Sequence, residues 1–397
     1  MSSTTTHVGH PRDLRRAEMA AKRRHPSGRI VVRSEPLPWN YYVIAIVMAV
    51  LVPLGLVMVM SASSITQFQA GHSPWRFFQR QLIWSLAGFI GLTVAVRLPM
   101  RTVRRLSRVA LVGSLAMMVL PFVPGLGVSV RGARAWVSVG PLLFQPSEFL
   151  KLAVLLTCAD LLTHRSQRLG ELKAVMLPCL LIVALGGGLM LAQGDLGSAI
   201  VLTSIGLTVI FLAGAPLLPL GAVSGLFAVG AIGFVLSTPY RRLRWTAFLD
   251  LARNRFDEGY QTWQSILSIA NGGLTGTGVG AGTGKWGYVP LAHSDFVFAV
   301  LAEELGFLGV FAVVGAFVAL SWAGAHAAIN SRDPFGALVA GGIVAWFGIQ
   351  ATINIGGVVG LMPVTGLTLP FLSYGGSSLL VMMTAGGLLL NVARTAR

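Results

Sequence analysis

The sequence predicts an all-α polytopic membrane protein of about ten transmembrane helices with a large extracellular loop between spans 7 and 8, and three observations carry that prediction. Of 397 residues, 54% are apolar and only 11% charged, and the mean hydropathy is +0.73. Apolar stretches of about twenty residues, the length that crosses a bilayer as helix, recur along the chain. The 48 glycines suit closely packed membrane helices, where small residues let backbones approach.

The stretches fall near 42–62, 80–98, 107–124, 147–163, 174–192, 197–213, 218–237, 297–325, 336–360 and 373–393. Residues 1–40 form a basic tail without apolar periodicity, expected to be disordered, with eight Lys/Arg against three acids. Arg97, Arg101, Arg104, Arg105 and Arg108 join the second and third stretches. Both clusters read as cytoplasmic by the positive-inside rule. An even number of spans then returns residues 394–397 to the same side, so that 41–393 is the membrane domain. The formal charge of +16 is therefore a topological signal with some attraction to anionic membrane lipid, and nucleic acid is not an expected partner. The first stretch starts too far from the N-terminus and lacks a cleavage site, so it reads as a retained span. Cys158 and Cys179 lie inside apolar stretches without CxxC spacing and read as packing residues.

The opposite face receives 125–146, the Gln193-Gly194-Asp195 turn and the loop 238–296. In that loop Trp245, Phe248, Leu249, Phe256, Tyr260, Trp263, Ile266 and Leu267 recur at helical intervals, which predicts an amphipathic interfacial helix. The glycine-rich run from Asn271 to Lys285 follows no strand and lacks the Ser/Thr of a nucleotide loop. It reads as a hinge or as a backbone nest for an anion.

Candidate site residues gather on this face. Asp295, in His293-Ser294-Asp295-Phe296, leads into an apolar run holding Glu303 and Glu304, in a chain with only 14 acids. Carboxylates at a membrane boundary are costly and mark a site. Arg131-Gly132-Ala133-Arg134-Ala135-Trp136 precedes Gln145-Pro146-Ser147-Glu148, with Lys151 one turn on. Ser147 is a plausible helix cap, and Glu148 and Lys151 share a helix face and can neutralise each other. The alternative reading adds Arg131 and Arg134 as guanidinium ligands for a diphosphate. Asp195 either caps the sixth span or touches substrate, Asp160 reads as structural, and Gln350 and Asn354 read as interhelical hydrogen-bond glue. The irregular run Met362–Ser378, with Ser373, Tyr374 and Ser377, breaks the apolar pattern and is expected to border a cavity.

With these residues in place, 42–393 resembles the SEDS family of shape, elongation, division and sporulation proteins. The resemblance rests on Gly132-Ala133-Arg134-Ala135-Trp136, Gln145-Pro146-Ser147-Glu148 with Lys151, Gln193-Gly194-Asp195-Leu196-Gly197, His293-Ser294-Asp295-Phe296 with Ala302-Glu303-Glu304-Leu305-Gly306, and Pro370–Ser378. The basic tail and the Gly360–Gly366 run place it nearer the division branch, FtsW, than the elongation branch, RodA. The resemblance implies an inverting peptidoglycan glycosyltransferase that polymerises lipid II at the outer face of the bacterial cytoplasmic membrane, at the division septum. An elongation-type polymerase, a lipid II flippase and a structural division scaffold are the alternatives. It implies that Asp295 is the essential aspartate, here the base, and that Trp136 and Glu148 serve the site. The family's usual basic residue directly before the tryptophan is Ala135 here, with Arg134 one step earlier. Arg134 leads the expected diphosphate ligands, followed by Lys151, Arg131 and Lys285, while Glu303 and His293 orient or support. No cofactor is certain, although a divalent cation, magnesium or manganese, is conceivable near Asp295. The implied partners are lipid II, a class B penicillin-binding transpeptidase and other division proteins.

Overall fold

The computed structural model describes residues 36–130, 132–140, 142–164 and 176–396. Most of the basic tail, Arg131, Arg165, Arg168, Lys173 and Arg397 lie outside the described residues. Ten helices occupy the ten predicted stretches: α1 (Trp39–Gln69), α2 (Arg76–Arg97), α3 (Met100–Met117), α4 (Pro146–His164), α5 (Leu177–Ala192), α6 (Leu196–Leu212), α7 (Leu217–Leu236), α10 (Val297–Ile329), α11 (Pro334–Val358) and α12 (Gly376–Thr395). Among the described residues, six helical segments are long and apolar enough to cross a membrane, whereas α5 and α6 are apolar but shorter.

Two loops carry structure that the apolar pattern alone does not specify. The interfacial helix expected around 245–267 is two helices, α8 (Pro239–Leu249) and α9 (Tyr260–Gly272). The break falls at Asp250, whose carboxylate accepts from the Arg253 amide at 3.2 Å and so competes with continued helix. Residues 127–144 form an antiparallel sheet, β1 (Gly127–Val130), β2 (Ala133–Val139) and β3 (Leu142–Phe144), in the order β1-β2-β3. Along β2, Ala135 and Val137 are buried on one face while Arg134 on the other is exposed, the alternation a pleated strand imposes.

The helix ends separate chemistry onto two faces. At one, Asp160 near the C-terminus of α4 receives Arg104 and Arg108 of α3, the latter at 3.3 Å, together with His164 at 2.9 Å. This ion cluster accounts for Asp160 as a structural acid. At the other face meet the N-termini of α2, α4, α6, α10 and α12, and the C-termini of α5 and α11.

The most consequential feature of the fold is a break in α10. Gly306 has φ 65° and ψ −166°, so the helix cannot continue through it. The amides of Phe307 and Leu308 turn away from their helical acceptors and donate to the carbonyls of Gly273 and Leu274 at 2.9 and 3.2 Å. The freed carbonyls of Glu303 and Glu304 accept instead from the amides of Thr277 and Gly278 at 2.9 and 3.0 Å. The glycine-rich loop is thus threaded into the gap between two half-helices, and no backbone group of the exchange goes unpaired. A Cβ on Gly306 would collide with the Gly276 nitrogen and the Leu274 carbonyl oxygen.

The two-faced arrangement predicts a labelling pattern. With both native cysteines buried, Ser129→Cys in β1 should react with an impermeant maleimide applied outside intact spheroplasts, and Arg332→Cys between α10 and α11 should react only after permeabilisation. The reverse pattern would refute the orientation.

Candidate functional site

Asp295 lies two residues before Val297, the first residue of α10, and its position is fixed from a neighbouring helix. The Asn354 side-chain amide on α11 donates to the Asp295 carbonyl at 2.8 Å and to the Leu367 carbonyl at 2.6 Å. One side chain thereby locks the start of α10 against the irregular segment after α11. Asp295, Asn354, Gly357, Val364, Thr365 and Gly366 line a shallow open cleft. The Met362–Ser378 run therefore does border a cavity, and Asn354 does more than join two helices. Gly197, at the start of α6, closes the packing: a Cβ there would meet the Thr365 carbonyl oxygen and the Leu367 side chain.

Glu303 and Glu304 are both buried, and each is answered by the loop threaded through α10. The Glu303 carboxylate accepts from the Thr283 amide and hydroxyl at 2.9 and 2.7 Å and from the Gly284 amide at 3.0 Å. The glycine run is thus a pinned clamp, and the anion its amides hold is the protein's own Glu303. Lys285, 3% exposed, donates to Glu304 at 3.1 Å and to the Ser61 hydroxyl at 3.3 Å. Moving that ammonium to a diphosphate would leave the Glu304 carboxylate buried and unpaired, a cost of several kcal/mol. The expectation of Lys285 as a headgroup ligand is therefore replaced by a structural role.

Lys151 is likewise closed off, with no exposed surface. Its ammonium contacts Glu148 at 2.8 Å and Gln350 at 3.5 Å and lies 5.5 Å from the Trp346 ring centroid. Gln350 carries the contact onward to the Thr368 carbonyl at 2.8 Å. The Glu148–Lys151 pair thus ties α4 to α11 and to the irregular segment. Ser147 does not cap α4: its buried hydroxyl has no partner among the described residues, and the Gln145 amide donates to Ser377 at 3.0 Å. Asp195 caps α6 by accepting from the Ser198 amide at 2.9 Å, and it accepts from the Gln145 side chain at 2.7 Å. Arg134 is exposed, and its backbone amide donates to the Gln193 carbonyl at 2.9 Å, which docks β2 onto that turn. Trp136, half-buried, pairs with Val128 across the sheet.

His293 and Tyr374 complete the other flank of Asp295. The Tyr374 amide donates to the His293 carbonyl at 2.9 Å, and His293 stacks on Phe77 of α2 with centroids 4.6 Å apart. Ser373 accepts from the Leu369 amide at 2.8 Å and so shapes the turn rather than facing outward. Gln81 brackets Tyr374, donating to the Ser373 carbonyl at 3.1 Å and accepting from the Gly375 amide at 3.3 Å. Burial pushes the Tyr374 hydroxyl above the usual tyrosine range, opposed by the positive charges of Arg80 and Arg76. Arg76, Phe77, Arg80 and Gln81 are the residues that sequence reasoning missed. Their signal was available: two arginines and a glutamine at the polar mouth of the second span.

A family model described as cell cycle protein, FTSW_RODA_SPOVE, matches residues 41–397. The chain belongs to this family. Stage V sporulation protein E of Bacillus subtilis (strain 168) is 38% identical over 354 residues, covering 89% of this chain and 97% of that protein. The probable peptidoglycan glycosyltransferase FtsW of Halorhodospira halophila is 41% identical over 341 residues, covering 85% and 86%. Among solved structures, a chain from a study of how a peptidoglycan synthase complex coordinates polymerization and crosslinking matches with TM-score 0.73 and 31% identity, covering 89% and 97%. The rod shape determining protein RodA of Thermus thermophilus matches with TM-score 0.66 and 30% identity, covering 91% and 98%.

In this FtsW/RodA/SpoVE family member, no group of three or more His, Cys, Asp or Glu residues that could hold a metal occurs among the described residues.

The clamp on Glu303 yields a graded prediction. Glu303→Ala strands the buried Gly284 donor, at a cost of about 1–3 kcal/mol, and releases the part-buried Thr283 amide and hydroxyl, while Glu303→Gln keeps one acceptor oxygen. Amide exchange at Thr283 and Gly284 should accelerate and the melting temperature fall in the order wild type, Gln, Ala. Equal protection in all three would show that the carboxylate does not hold the loop.

Proposed function

We propose that this chain is the septal peptidoglycan glycosyltransferase of its cell, polymerising lipid II into glycan strands at the outer face of the cytoplasmic membrane. The observation that carries this reading is a carboxylate, Asp295, lining an open cleft on the face where the helix N-termini gather, with its backbone held by Asn354. The family membership and relatives named as probable peptidoglycan glycosyltransferases support it.

In the reaction an acceptor sugar hydroxyl gives its proton to the Asp295 carboxylate as its oxygen bonds to the donor's anomeric carbon. The bond from that carbon to the diphosphate oxygen breaks, and the lipid diphosphate leaves with the electron pair. Attack opposite the leaving group converts an α-linked donor to a β-linked product. Asn354 has a buried amide oxygen without a partner among the described residues and lines the same cleft, so it is placed to accept a sugar hydroxyl and steady it. Arg134, exposed on β2, meets charge that grows on the departing diphosphate, the kind of contact that lowers a barrier by a few kcal/mol. Glu303 and Glu304, committed to Thr283, Gly284 and Lys285, stay out of the proton transfer. A class B penicillin-binding transpeptidase would take up the strand for crosslinking, in keeping with the similarity to a synthase-complex chain. Both termini are cytoplasmic in this reading.

Asp295→Asn tests it, because the amide keeps the shape and loses the base. Glycan synthesis from purified lipid II should fall by about 10²–10⁴, the usual worth of a general base, with the melting temperature unchanged. Undiminished strand synthesis would defeat the assignment.

A further inference from the structure

The face opposite the Asp295 cleft carries more positive charge than the fold consumes. Of the arginines at the junction of α2 and α3, Arg104 and Arg108 are drawn to Asp160, together with His164. Asp160 is buried, and this one carboxylate is already outnumbered by the groups around it. Arg97, Arg101 and Arg105 are exposed, and no ion pair or side-chain hydrogen bond holds them among the described residues.

Helix geometry sorts these charges. At about 100° per residue, Arg101, Arg105 and Arg108 fall within about 60° of one another on α3, each one turn from the next. Val103, Ser107 and Ser114, the buried residues of α3, lie on the other side of the helix, where the Thr157 hydroxyl of α4 donates to the Ser107 carbonyl at 3.2 Å. The arginine stripe therefore points away from the bundle. Like charges one turn apart repel, and an anion seated among them reverses the sign. Arg108 is aimed in advance: its contact with Asp160 at 3.3 Å leaves its side chain 69% exposed, with N–H groups to spare for a second acceptor.

The same stripe continues as an apolar lane. Val109, Val112 and Ala116, all exposed, follow the arginines and span about 10 Å along the helix. Gly113 lies on the same side with open space where a Cβ would stand, so a hydrocarbon chain can lie against the backbone there. A charge that only sets orientation can sit anywhere near a span end. Here guanidinium forks, which match phosphate oxygens, stand directly over an apolar lane, and a phospholipid joins those two chemistries in one molecule. An acidic protein segment would satisfy the arginines and leave the lane, which lies inside the span Met100–Phe122, unused.

We propose that Arg101, Arg105 and Arg108, with the lane from Val109 to Ala116, form a binding site for one anionic phospholipid in the leaflet opposite the Asp295 cleft. Its phosphate sits among the guanidiniums and one acyl chain runs along α3. The site stands apart from the cleft and does not depend on the polymerase reading.

Native mass spectrometry of the full chain, released from phosphatidylcholine nanodiscs doped with phosphatidylglycerol, tests it, with melting temperatures followed alongside. Wild-type protein should retain one phosphatidylglycerol that Arg101→Gln/Arg105→Gln loses. Arg332→Gln/Arg394→Gln, which removes the same charge from exposed positions elsewhere on that face, should retain it. No phosphatidylglycerol on wild type, equal retention by wild type and the Arg101/Arg105 variant, or equal loss from both variants would each overturn the site, the last by marking a diffuse attraction to anionic lipid. A polyglutamate peptide bound by wild type and not by the Arg101/Arg105 variant, with phosphatidylglycerol retained equally by the two, would mark a protein-docking surface and overturn the lipid assignment. Should that variant not fold, Arg101→Lys/Arg105→Lys, which keeps the charge and removes the forks, replaces it. Its affinity for phosphatidylglycerol should fall about tenfold, the worth of one charge-assisted hydrogen bond, and unchanged affinity would overturn the proposal.

Discussion

The exchange of backbone hydrogen bonds at Gly306 is the constraint on which the site depends. In a membrane protein a helix cannot simply stop, because each unpaired backbone group in an apolar surrounding costs several kcal/mol. Here the gap is filled by the glycine-rich loop, which takes the donors of Phe307 and Leu308 and answers the carbonyls of Glu303 and Glu304. The first half of α10, with Asp295 just before it, is therefore positioned by the loop as much as by neighbouring helices. Glu303 and Glu304 reinforce the arrangement through Thr283, Gly284 and Lys285.

The same economy governs the other buried charges. Lys151 is balanced by Glu148 and Asp160 by Arg104 and Arg108, and breaking either pair would leave a lone charge in a low-dielectric interior. These pairs join elements far apart in sequence. Arg134 on β2 stays exposed, and Asp295 lines the cleft.

Much of this was legible in the sequence because hydropathy and charge placement are local signals. Ten helices stand where ten apolar stretches lie, and the Met362–Ser378 run packs beside Asp295. The i, i+3 spacing of Glu148 and Lys151 foretold their pairing. The rest depended on tertiary contacts. Nothing local to Lys285 says that Glu304 and Ser61 will surround it, and a glycine run reads equally as hinge or nest until Glu303 arrives to fill it. The sheet at 127–144 was hidden because its strands, of 4, 7 and 3 residues, are short and lie between spans. Arg76 and Arg80 gain meaning only when Tyr374, almost three hundred positions later, is placed beside them.

The most direct test of the threaded helix compares Gly306→Ala with Gly315→Ala, a site on the same helix where an added methyl meets nothing within 4 Å. Amide exchange at Thr277, Gly278, Phe307 and Leu308 would be followed together with glycan synthesis from lipid II. In Gly306→Ala all four amides should lose protection together and synthesis should collapse, while Gly315→Ala behaves as wild type. Intact protection and full synthesis in Gly306→Ala would contradict the account.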